Sequence, residues 1–199
     1  MTVDLKEPAH YGLSFLMSLV YFPNKIRLFI WAGGYPVMKI KIGVLSDTHL
    51  GGVTKKFREI YDTYLSDKDL ILHAGDVVST EIVDFLNKNQ FKGVYGNMDP
   101  IEVRERLVAK TVIELGPYRI GLIHGWGARA GIEDRIWAEF QNVDVIVYGH
   151  SHHAVNHLKD NVLLFNPGTA TGFSSSGTHS IGVLELDSTI RGEIITLDG

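Results

Sequence analysis

The sequence of 199 residues contains no cysteine and carries little net charge, with 19 basic against 23 acidic side chains. Without cysteine the chain cannot be a disulfide scaffold, a zinc ribbon, an iron–sulfur protein or an enzyme with a thiol nucleophile. The mildly acidic balance argues against a protein that wraps duplex nucleic acid, because that function needs a basic face. What the chain does have is nine histidines. Together with the missing cysteine they predict a metal site built from nitrogen and oxygen ligands.

A hydrophobic run long enough to cross a membrane is also lacking. The apolar stretch at residues 12–22 is about half as long as a transmembrane helix requires, and no secretory signal pattern surrounds it. We expect residues 1–37 to be an N-terminal extension and residues 38–199, which open with a second methionine, to be the functional domain. The extension is either an upstream addition, for example from a misplaced start codon, or an amphipathic segment that binds a membrane surface or a partner. With no targeting signal, we expect a cytoplasmic protein.

From residue 38 onward, β-branched runs alternate with amphipathic stretches, and the C-terminal part becomes a series of hairpins. The predicted strands are 39–45, 70–72, 94–95, 111–115, 118–123, 143–148, 154–158, 162–165, 181–186 and 193–197. The predicted helices are 55–65, 79–86, 100–108 and 132–140. This order predicts a single α/β domain, a four-layer α-β-β-α sandwich of two mixed β-sheets flanked by helices.

Five of the predicted strands end in polar residues that a hydrophobic core does not need. The five motifs are Ser46-Asp-Thr-His49, His73-Ala-Gly-Asp76, Gly96-Asn-Met-Asp99, His124-Gly125 and Gly149-His-Ser-His152. Ligands of open α/β sheets bind outside the carboxyl ends of the strands, so the five motifs should face one crevice. Each motif alone is weak evidence, but a set of unrelated turns would not fall so regularly at strand ends.

Seven nitrogen and oxygen ligands would meet in this crevice. They are Asp47, His49, Asp76, Asn97, His124, His150 and His152. The set is too large for one four-coordinate ion with an open position. It suits two divalent ions about 3.5–4 Å apart that share a carboxylate, and we assign that role to Asp76. Mixed imidazole and carboxylate ligands favour Mn²⁺, Ni²⁺, Fe, Co²⁺ or Zn²⁺ over Mg²⁺; Mn²⁺ is the ion that we expect.

The five motifs, in this order, resemble those of the calcineurin-like metallophosphoesterase superfamily, and the resemblance extends over residues 38–199. It is closest to the small single-domain phosphodiesterases, which are also similar to the retromer subunit that binds partner proteins. The resemblance implies a β-sandwich flanked by helices, a hydroxide between the two ions as nucleophile, and Asp76, Asn97 and His124 as catalytic residues. The ligand sets that it implies are Asp47, His49, Asp76 and His152 for one ion, and Asp76, Asn97, His124 and His150 for the other.

One position departs from the family pattern. Many members have a histidine directly after the Gly-Asn pair, associated with protonation of the leaving group or with phosphate binding, and here that position is Met98. A thioether cannot donate a proton. We therefore expect either a preference for esters with good leaving groups or protonation by water or another side chain. Asp99, which follows, either orients a ligand histidine or caps the helix that begins at Pro100.

Several residues near the motifs are not counted as ligands. His73 is expected to be a neutral, packed core histidine. Segment 172–177, rich in serine and glycine, is either a loop over the crevice or a hairpin connection. Trp126 and Arg129 either line the crevice and hold a substrate or pack within their loop.

The leading hypothesis is a metal-dependent phosphodiesterase that acts on a small phosphate ester. The alternatives are a phosphomonoesterase or nuclease of the same superfamily, and a catalytically weak interaction scaffold of the retromer-subunit type. Scaffold relatives tend to lose some of the metal ligands, whereas all seven are present here. We expect no extended nucleic-acid binding and no transmembrane segment; a homo-oligomer stays open.

Overall fold

The strands and helices of the computed structural model follow the predicted alternation. The structure describes residues 39–174 and 177–197, together with the backbone of three strands upstream of them, β1 (Val3–Asp4), β2 (Met17–Phe22) and β3 (Lys25–Ile30). The other described strands are β4 (Ile40–Leu45), β5 (Leu70–His73), β6 (Phe91–Gly93), β7 (Lys110–Leu115), β8 (Tyr118–Ile123), β9 (Val145–Val147), β10 (Val155–Lys159), β11 (Val162–Asn166), β12 (His179–Leu186) and β13 (Ile190–Leu197). The described helices are α1 (Lys55–Ile60), continued by a π-helical turn at Tyr61–Leu65, α2 (Thr80–Leu86), α3 (Ile101–Arg104) and α4 (Ile132–Trp137).

Two mixed sheets form the centre of the fold. In the first sheet the order is β1-β13-β12-β4-β5-β6, with β4, β5 and β6 parallel and β12 and β13 antiparallel. In the second the order is β10-β11-β9-β8-β7, with β8, β9 and β11 parallel and the edge strands antiparallel. In each sheet the parallel strands therefore end at the same edge. The loops that follow their carboxyl ends lie together there.

The hydrophobic core has three parts, and these define the four predicted layers. Side chains such as Val44 and Val147 fill the space between the two sheets. On the outer face of the first sheet, α1 and α2 bury residues such as Phe57 and Leu86, and on the outer face of the second sheet α4 buries Ile136. Each side chain buried in this way contributes about 1.5–3 kcal/mol. The predicted four-layer sandwich is confirmed.

Local sequence signals explain where two of the helices begin. The hydroxyl of Thr54 accepts a hydrogen bond from the Phe57 amide at 3.1 Å, and the hydroxyl of Ser79 accepts one from the Glu81 amide at 3.2 Å. Both satisfy amides that an α-helix leaves unpaired in its first turn. The predicted start of α2 at Ser79 is therefore correct.

The region around Asn97 differs from the prediction in two ways. The strand expected at 94–95 lies earlier, at β6, and the helix expected to reach residue 108 ends at Arg104. The reason is a long-range contact: Val94 forms a β-bridge with Val108, and the Tyr95 amide donates to the Val108 carbonyl at 3.0 Å. This pairing draws Val108 into the bridge, so residues 105–106 form a turn and the helix does not continue.

Most of the predicted extension, residues 1–37, lies outside the described residues. Of the parts that are described, β1 pairs with the edge strand β13, and β2 and β3 pair with each other in antiparallel register. The boundary at residue 38 stays a prediction. None of the helices that the structure describes is long and apolar enough to span a membrane.

Candidate metal centre

The five motifs meet at one edge of the sandwich, where both sheets present the carboxyl ends of parallel strands. The loop after β4 carries Asp47 and His49, and the loop after β5 carries Asp76. The positions after β6, β8 and β9 supply the remaining members of the set, which are Asn97, His124, His150 and His152. The structure brings all seven predicted residues together, although they come from two different sheets.

Backbone conformation fixes the direction of most of these side chains. Five of the seven residues adopt a positive φ, a region that non-glycine residues rarely occupy. They are Asp47 (52°), His49 (49°), Asp76 (54°), His150 (66°) and His152 (53°). Such conformations cost on the order of 1–3 kcal/mol each and persist where surrounding structure imposes them. Here hydrogen bonds between the loops do so, from the Asp47 amide to the Gly75 carbonyl at 3.0 Å and from the His49 amide to the Asp76 carbonyl at 3.2 Å.

Gly75 shows how closely the loops approach. Its φ is +96°, and a Cβ atom there would lie 2.6 Å from Nδ1 of His124. Any side chain at this position would be strained and would also displace the imidazole. The glycine that precedes Asp76 is therefore required by the packing of the site.

The first half of the centre, which we call the Asp47 half, consists of Asp47, His49 and His152. Oδ1 of Asp47 lies 3.2 Å from Nε2 of His152 and 3.9 Å from Nε2 of His49. The two imidazole Nε2 atoms are 3.2 Å apart. Asp47 is fully buried, and both histidines are partly buried.

The second half, which we call the Asn97 half, consists of Asn97, His124 and His150. Oδ1 of Asn97 lies 2.9 Å from Nδ1 of His150 and 3.3 Å from Nε2 of His124. Asp76 stands between the halves, because its Oδ2 lies 3.3 Å from Nε2 of His124 and 3.6 Å from Nε2 of His49. Asn97 is exposed, so this half opens to solvent.

Carbonyl groups determine which nitrogen of each imidazole faces the centre. Nδ1 of His124 donates to the Ala74 carbonyl at 2.7 Å, Nδ1 of His152 donates to the Phe173 carbonyl, and Nε2 of His150 donates to the Gly127 carbonyl at 2.8 Å. In the neutral form the other nitrogen of each ring is then a lone pair directed inward. Several lone pairs share a small space, an arrangement that is repulsive unless a positive charge lies among them.

Asp47 gives the clearest test of whether a cation fits. Its Oδ2 accepts hydrogen bonds from the Ser46 hydroxyl and from the His150 amide, the latter at 3.0 Å. Its Oδ1 is buried and finds no hydrogen-bond donor among the described residues. An unpaired buried carboxylate oxygen is costly unless it faces a cation. The groups Asp47–His49–His152 and Asp47–Asp76–His124 each place their ligand atoms within 4.8 Å of one another, which suits divalent ions.

The pKa values of the site show the same demand for positive charge. The carboxylate of Asp47, whose Oδ1 lies 3.2 Å from Nε2 of His152, raises the pKa of that histidine to about 9. Burial lowers the pKa of His124, but Asp76 and Asp47 outweigh it, and the pKa lies above its ordinary value. For Asp76, burial raises the pKa, yet the hydrogen bond and charge of His124 bring it below the ordinary range. In the absence of a cation, protons take its place.

Asp99 has a role that neither sequence interpretation anticipated. Its carboxylate is buried and accepts hydrogen bonds from three backbone amides, of Asp76 at 3.0 Å, Val78 at 2.6 Å and Gly96 at 2.7 Å. It neither orients a ligand histidine nor caps α3, whose N-cap residue is Pro100 without a side-chain hydrogen bond. Instead, Asp99 joins the loop that carries Asp76 to the loop that carries Asn97.

Sequence reasoning also missed the support given by the turn after β11. Nδ2 of Asn166 donates to the Gly149 carbonyl at 2.9 Å, and the hydroxyl of Thr169 donates to the Asp47 carbonyl at 2.7 Å. Both residues are buried. The sequence contains a pattern that could have predicted this support. Asn-Pro-Gly-Thr is a polar turn at the end of a hydrophobic strand, as are the five motifs of the metal centre.

The remaining predicted neighbours have clear positions. His73 is fully buried, and burial lowers its pKa to about 3, so the expected neutral, packed histidine is confirmed. In segment 172–177 the Phe173 carbonyl contacts His152, so the described start of this segment lies over the Asp47 half; residues 175 and 176 lie outside the described part. Trp126 is 43% exposed beside the Asn97 half.

A family model for the calcineurin-like phosphoesterase superfamily domain matches residues 40–189. The chain belongs to this superfamily. A probable metallophosphoesterase of Methanocaldococcus jannaschii is 35% identical over 136 residues, which cover 65% of this chain and 68% of that relative. A phosphodiesterase of the same organism is 29% identical over 171 residues, which cover 78% of this chain and 99% of the relative.

A solved structure of vacuolar protein sorting 29 from Cryptosporidium parvum superposes with a TM-score of 0.62 at 23% identity, covering 81% of this chain and 99% of that one. At this identity the likeness concerns the fold alone. The predicted superfamily is confirmed, and the two relatives above are named as a probable metallophosphoesterase and a phosphodiesterase. The cluster of ligand atoms at the strand ends agrees with that chemistry.

Proposed function

We propose that this superfamily member is a phosphodiesterase that hydrolyses a small phosphate diester at the metal centre. The observation that carries the proposal is the buried Oδ1 of Asp47, which has no hydrogen-bond donor among the described residues and faces inward-directed imidazole nitrogens. That arrangement favours the binding of cations. Divalent cations bound at such a site can promote the hydrolysis of a phosphate ester. The phosphodiesterase relative named above supports the choice of diesters.

In this proposal two divalent cations, of which Mn²⁺ is preferred, are held by the two halves. Asp47, His49, Asp76 and His152 form one ligand set. Asp76, Asn97, His124 and His150 form the other. The position of Asp76 Oδ2, within 3.6 Å of a histidine from each half, supports its role as the shared carboxylate. When bound, the cations supply a hydroxide nucleophile near neutral pH and neutralise charge on the phosphoryl oxygens.

The protein's own residues position this chemistry. His124 is the proposed catalytic histidine, and its hydrogen bond to the Ala74 carbonyl fixes its ring. Asn97 is held in place because the guanidinium of Arg104 donates to its carbonyl at 2.9 Å and to the Asp99 carbonyl at 2.7 Å. Attack of hydroxide on phosphorus breaks the bond to one ester oxygen, and the alkoxide that leaves must take up a proton to become the alcohol.

Met98 cannot supply that proton. Its amide donates to Oδ1 of Asp76 at 2.8 Å, while its side chain is 60% exposed at the mouth of the site. Solvent reaches the leaving group there, so we propose that water provides the proton. The consequence is a preference for esters whose alcohols have low pKa values.

The test is a set of chromogenic esters assayed with metal-depleted protein to which single metals are returned. We expect bis(p-nitrophenyl) phosphate to be cleaved with Mn²⁺ and Ni²⁺, and p-nitrophenyl phosphate to be cleaved more slowly. The reverse order would make the protein a phosphomonoesterase, and cleavage of oligonucleotides would make it a nuclease. Bound metal without turnover of any ester would overturn the proposal and favour the interaction scaffold.

A further inference from the structure

A groove of about 400 Å³ leads away from the Asn97 half of the metal centre. Its lining includes Asn97 and His124 of the metal centre, together with Tyr95 and Trp126. A phosphate held at the metal centre would therefore have one ester substituent directed into this groove. The nature of the walls shows which substituent fits.

Hydrogen bonds hold the backbone that carries Trp126, and a cation–π contact orients the Tyr95 ring. The residue after Trp126 accepts the hydrogen bond from His150, and the Trp126 carbonyl accepts one from Nε of Arg135 at 2.9 Å. The Tyr95 ring lies 5.3 Å from the guanidinium carbon of Arg104, which is itself fixed by the backbone of Asn97. Aromatic rings in the wall favour a flat, polarisable group, because such a group can stack on them.

Of the three charged residues that line the groove, Lys110 and Glu139 neutralise each other, while Arg104 directs its Nε and Nη2 donors to backbone carbonyl groups. Nζ of Lys110 lies 2.5 Å from Oε2 of Glu139, and both line the groove. A second phosphate would have to compete with Glu139 for Lys110, and a cationic group would compete with Lys110 for Glu139. The groove therefore suits an uncharged substituent with a polar edge rather than a second ion.

The geometry points to a binding subsite for a planar aromatic ring that is esterified to the phosphate, with Trp126 as the stacking residue. This inference rests on the proposed function, since it takes the phosphate to lie at the metal centre. A simple aryl group and a nucleobase share the required chemistry. With this subsite, the Asn97 half of the metal centre would select the substrate.

The test measures binding to the Mn²⁺-loaded protein by calorimetry, with ligands that are compared in pairs. Phenylphosphonate is compared with cyclohexylphosphonate, which has the same size but no π face, and adenosine 5′-monophosphate is compared with ribose 5-phosphate. We expect the aromatic member of at least one pair to bind about tenfold more tightly, in the range that stacking on one aromatic side chain provides. An advantage in the first pair alone identifies an aryl group, and one in the second pair alone a nucleobase.

Two variants separate stacking from simple apolar contact. Trp126→Leu keeps an apolar side chain and should remove the tenfold advantage, whereas Trp126→Phe should retain most of it. The affinity for inorganic phosphate should be the same in both variants and in the native protein. Equal affinities within both pairs, or an advantage that survives Trp126→Leu, would overturn the inference. Because no turnover is measured, a protein that shows the advantage but cleaves no ester would refute the proposed function and leave the subsite standing.

Discussion

The two halves of the metal centre are built from similar side chains but differ in charge and in exposure. The Asp47 half has a buried carboxylate of its own in addition to the shared Asp76. The Asn97 half has only neutral ligands besides Asp76, and one of them, Asn97, is exposed. Since attraction between a cation and its ligands grows with ligand charge and with burial, the Asp47 half should hold its ion more tightly. In the proposed function the substrate would then meet the open half.

The largest expected effect comes from removing the carboxylate of Asp76, which the two halves share. We expect Asp76→Ala to abolish binding of both cations and to lower kcat/KM by about a thousandfold, the upper range for loss of one electrostatic group from an active site. Metal content by mass spectrometry and diesterase activity check this. Asp84→Ala is the control, because Asp84 is an exposed aspartate paired with Arg106. If one equivalent of metal stayed bound to Asp76→Ala, the shared role would be refuted.

The junction between the halves can be loosened through Asp99. Asp99→Ala leaves the buried amides of Asp76, Val78 and Gly96 without their acceptor. Each buried amide without an acceptor costs about 1–3 kcal/mol, and water that enters the space left by the side chain reduces this cost. We therefore expect the free energy of unfolding to fall by about 3 kcal/mol. Urea denaturation of the metal-free protein measures it.

Asp99→Asn is the matched variant, because it keeps one oxygen that can accept a hydrogen bond. Its loss of stability should be clearly smaller than that of Asp99→Ala. Equal stability of Asp99→Ala and the native protein would mean that the three hydrogen bonds do not hold the loops together.

The open half can be altered alone with Asn97→Ala. We expect the bound metal to fall from two equivalents to one, and activity at limiting metal to fall about tenfold, the lower range for weakened metal ligation. Calorimetric titration with Mn²⁺ should show that the tighter of two binding events persists. Loss of the tighter event instead would reverse the ranking of the two halves.

The smallest expected effect concerns the histidine behind the Asp47 half. Burial lowers the pKa of His73 to about 3, and its Nε2 lies 3.3 Å from the hydroxyl of Thr48. Above its unfolded pKa of about 6.5, His73 is neutral in both states. As the pH falls below that value, only the unfolded state takes up the proton, so the free energy of unfolding decreases by up to about 1.4 kcal/mol per pH unit.

His73→Gln should remove that part of the slope. Urea unfolding of the metal-free native protein and the variant, at about pH 7 and about pH 5, compares the two slopes. The two proteins differ only at residue 73, so the difference between their slopes reports the effect of this histidine. Parallel slopes would contradict the assignment of a neutral buried ring.

Much of the fold and of the candidate site could be predicted, because both depend on local patterns. Hydrophobic runs gave the strands, and the polar residues at their ends gave all seven members of the cluster. The role of Asp99 could not be predicted, since it depends on amides up to 23 residues away in the sequence. The end of α3 was misplaced for a similar reason, because pairing between Val94 and Val108 decides it. Positive φ at Asp47 and His49 likewise follows from contacts between loops.

The sandwich brings its ligand atoms from both sheets, with Asp47 after β4 of the first and His124 after β8 of the second. In the proposed ligand sets each cation would have ligands from both sheets, so it would be a removable cross-link between two layers that otherwise meet through packed side chains and a few backbone contacts such as that of Val94 with Val108. Unfolding must release that cation, so a free concentration one hundred times the dissociation constant adds about 2.7 kcal/mol to global stability. Metal supply then governs how long the polypeptide survives proteolysis in addition to how fast it turns over substrate.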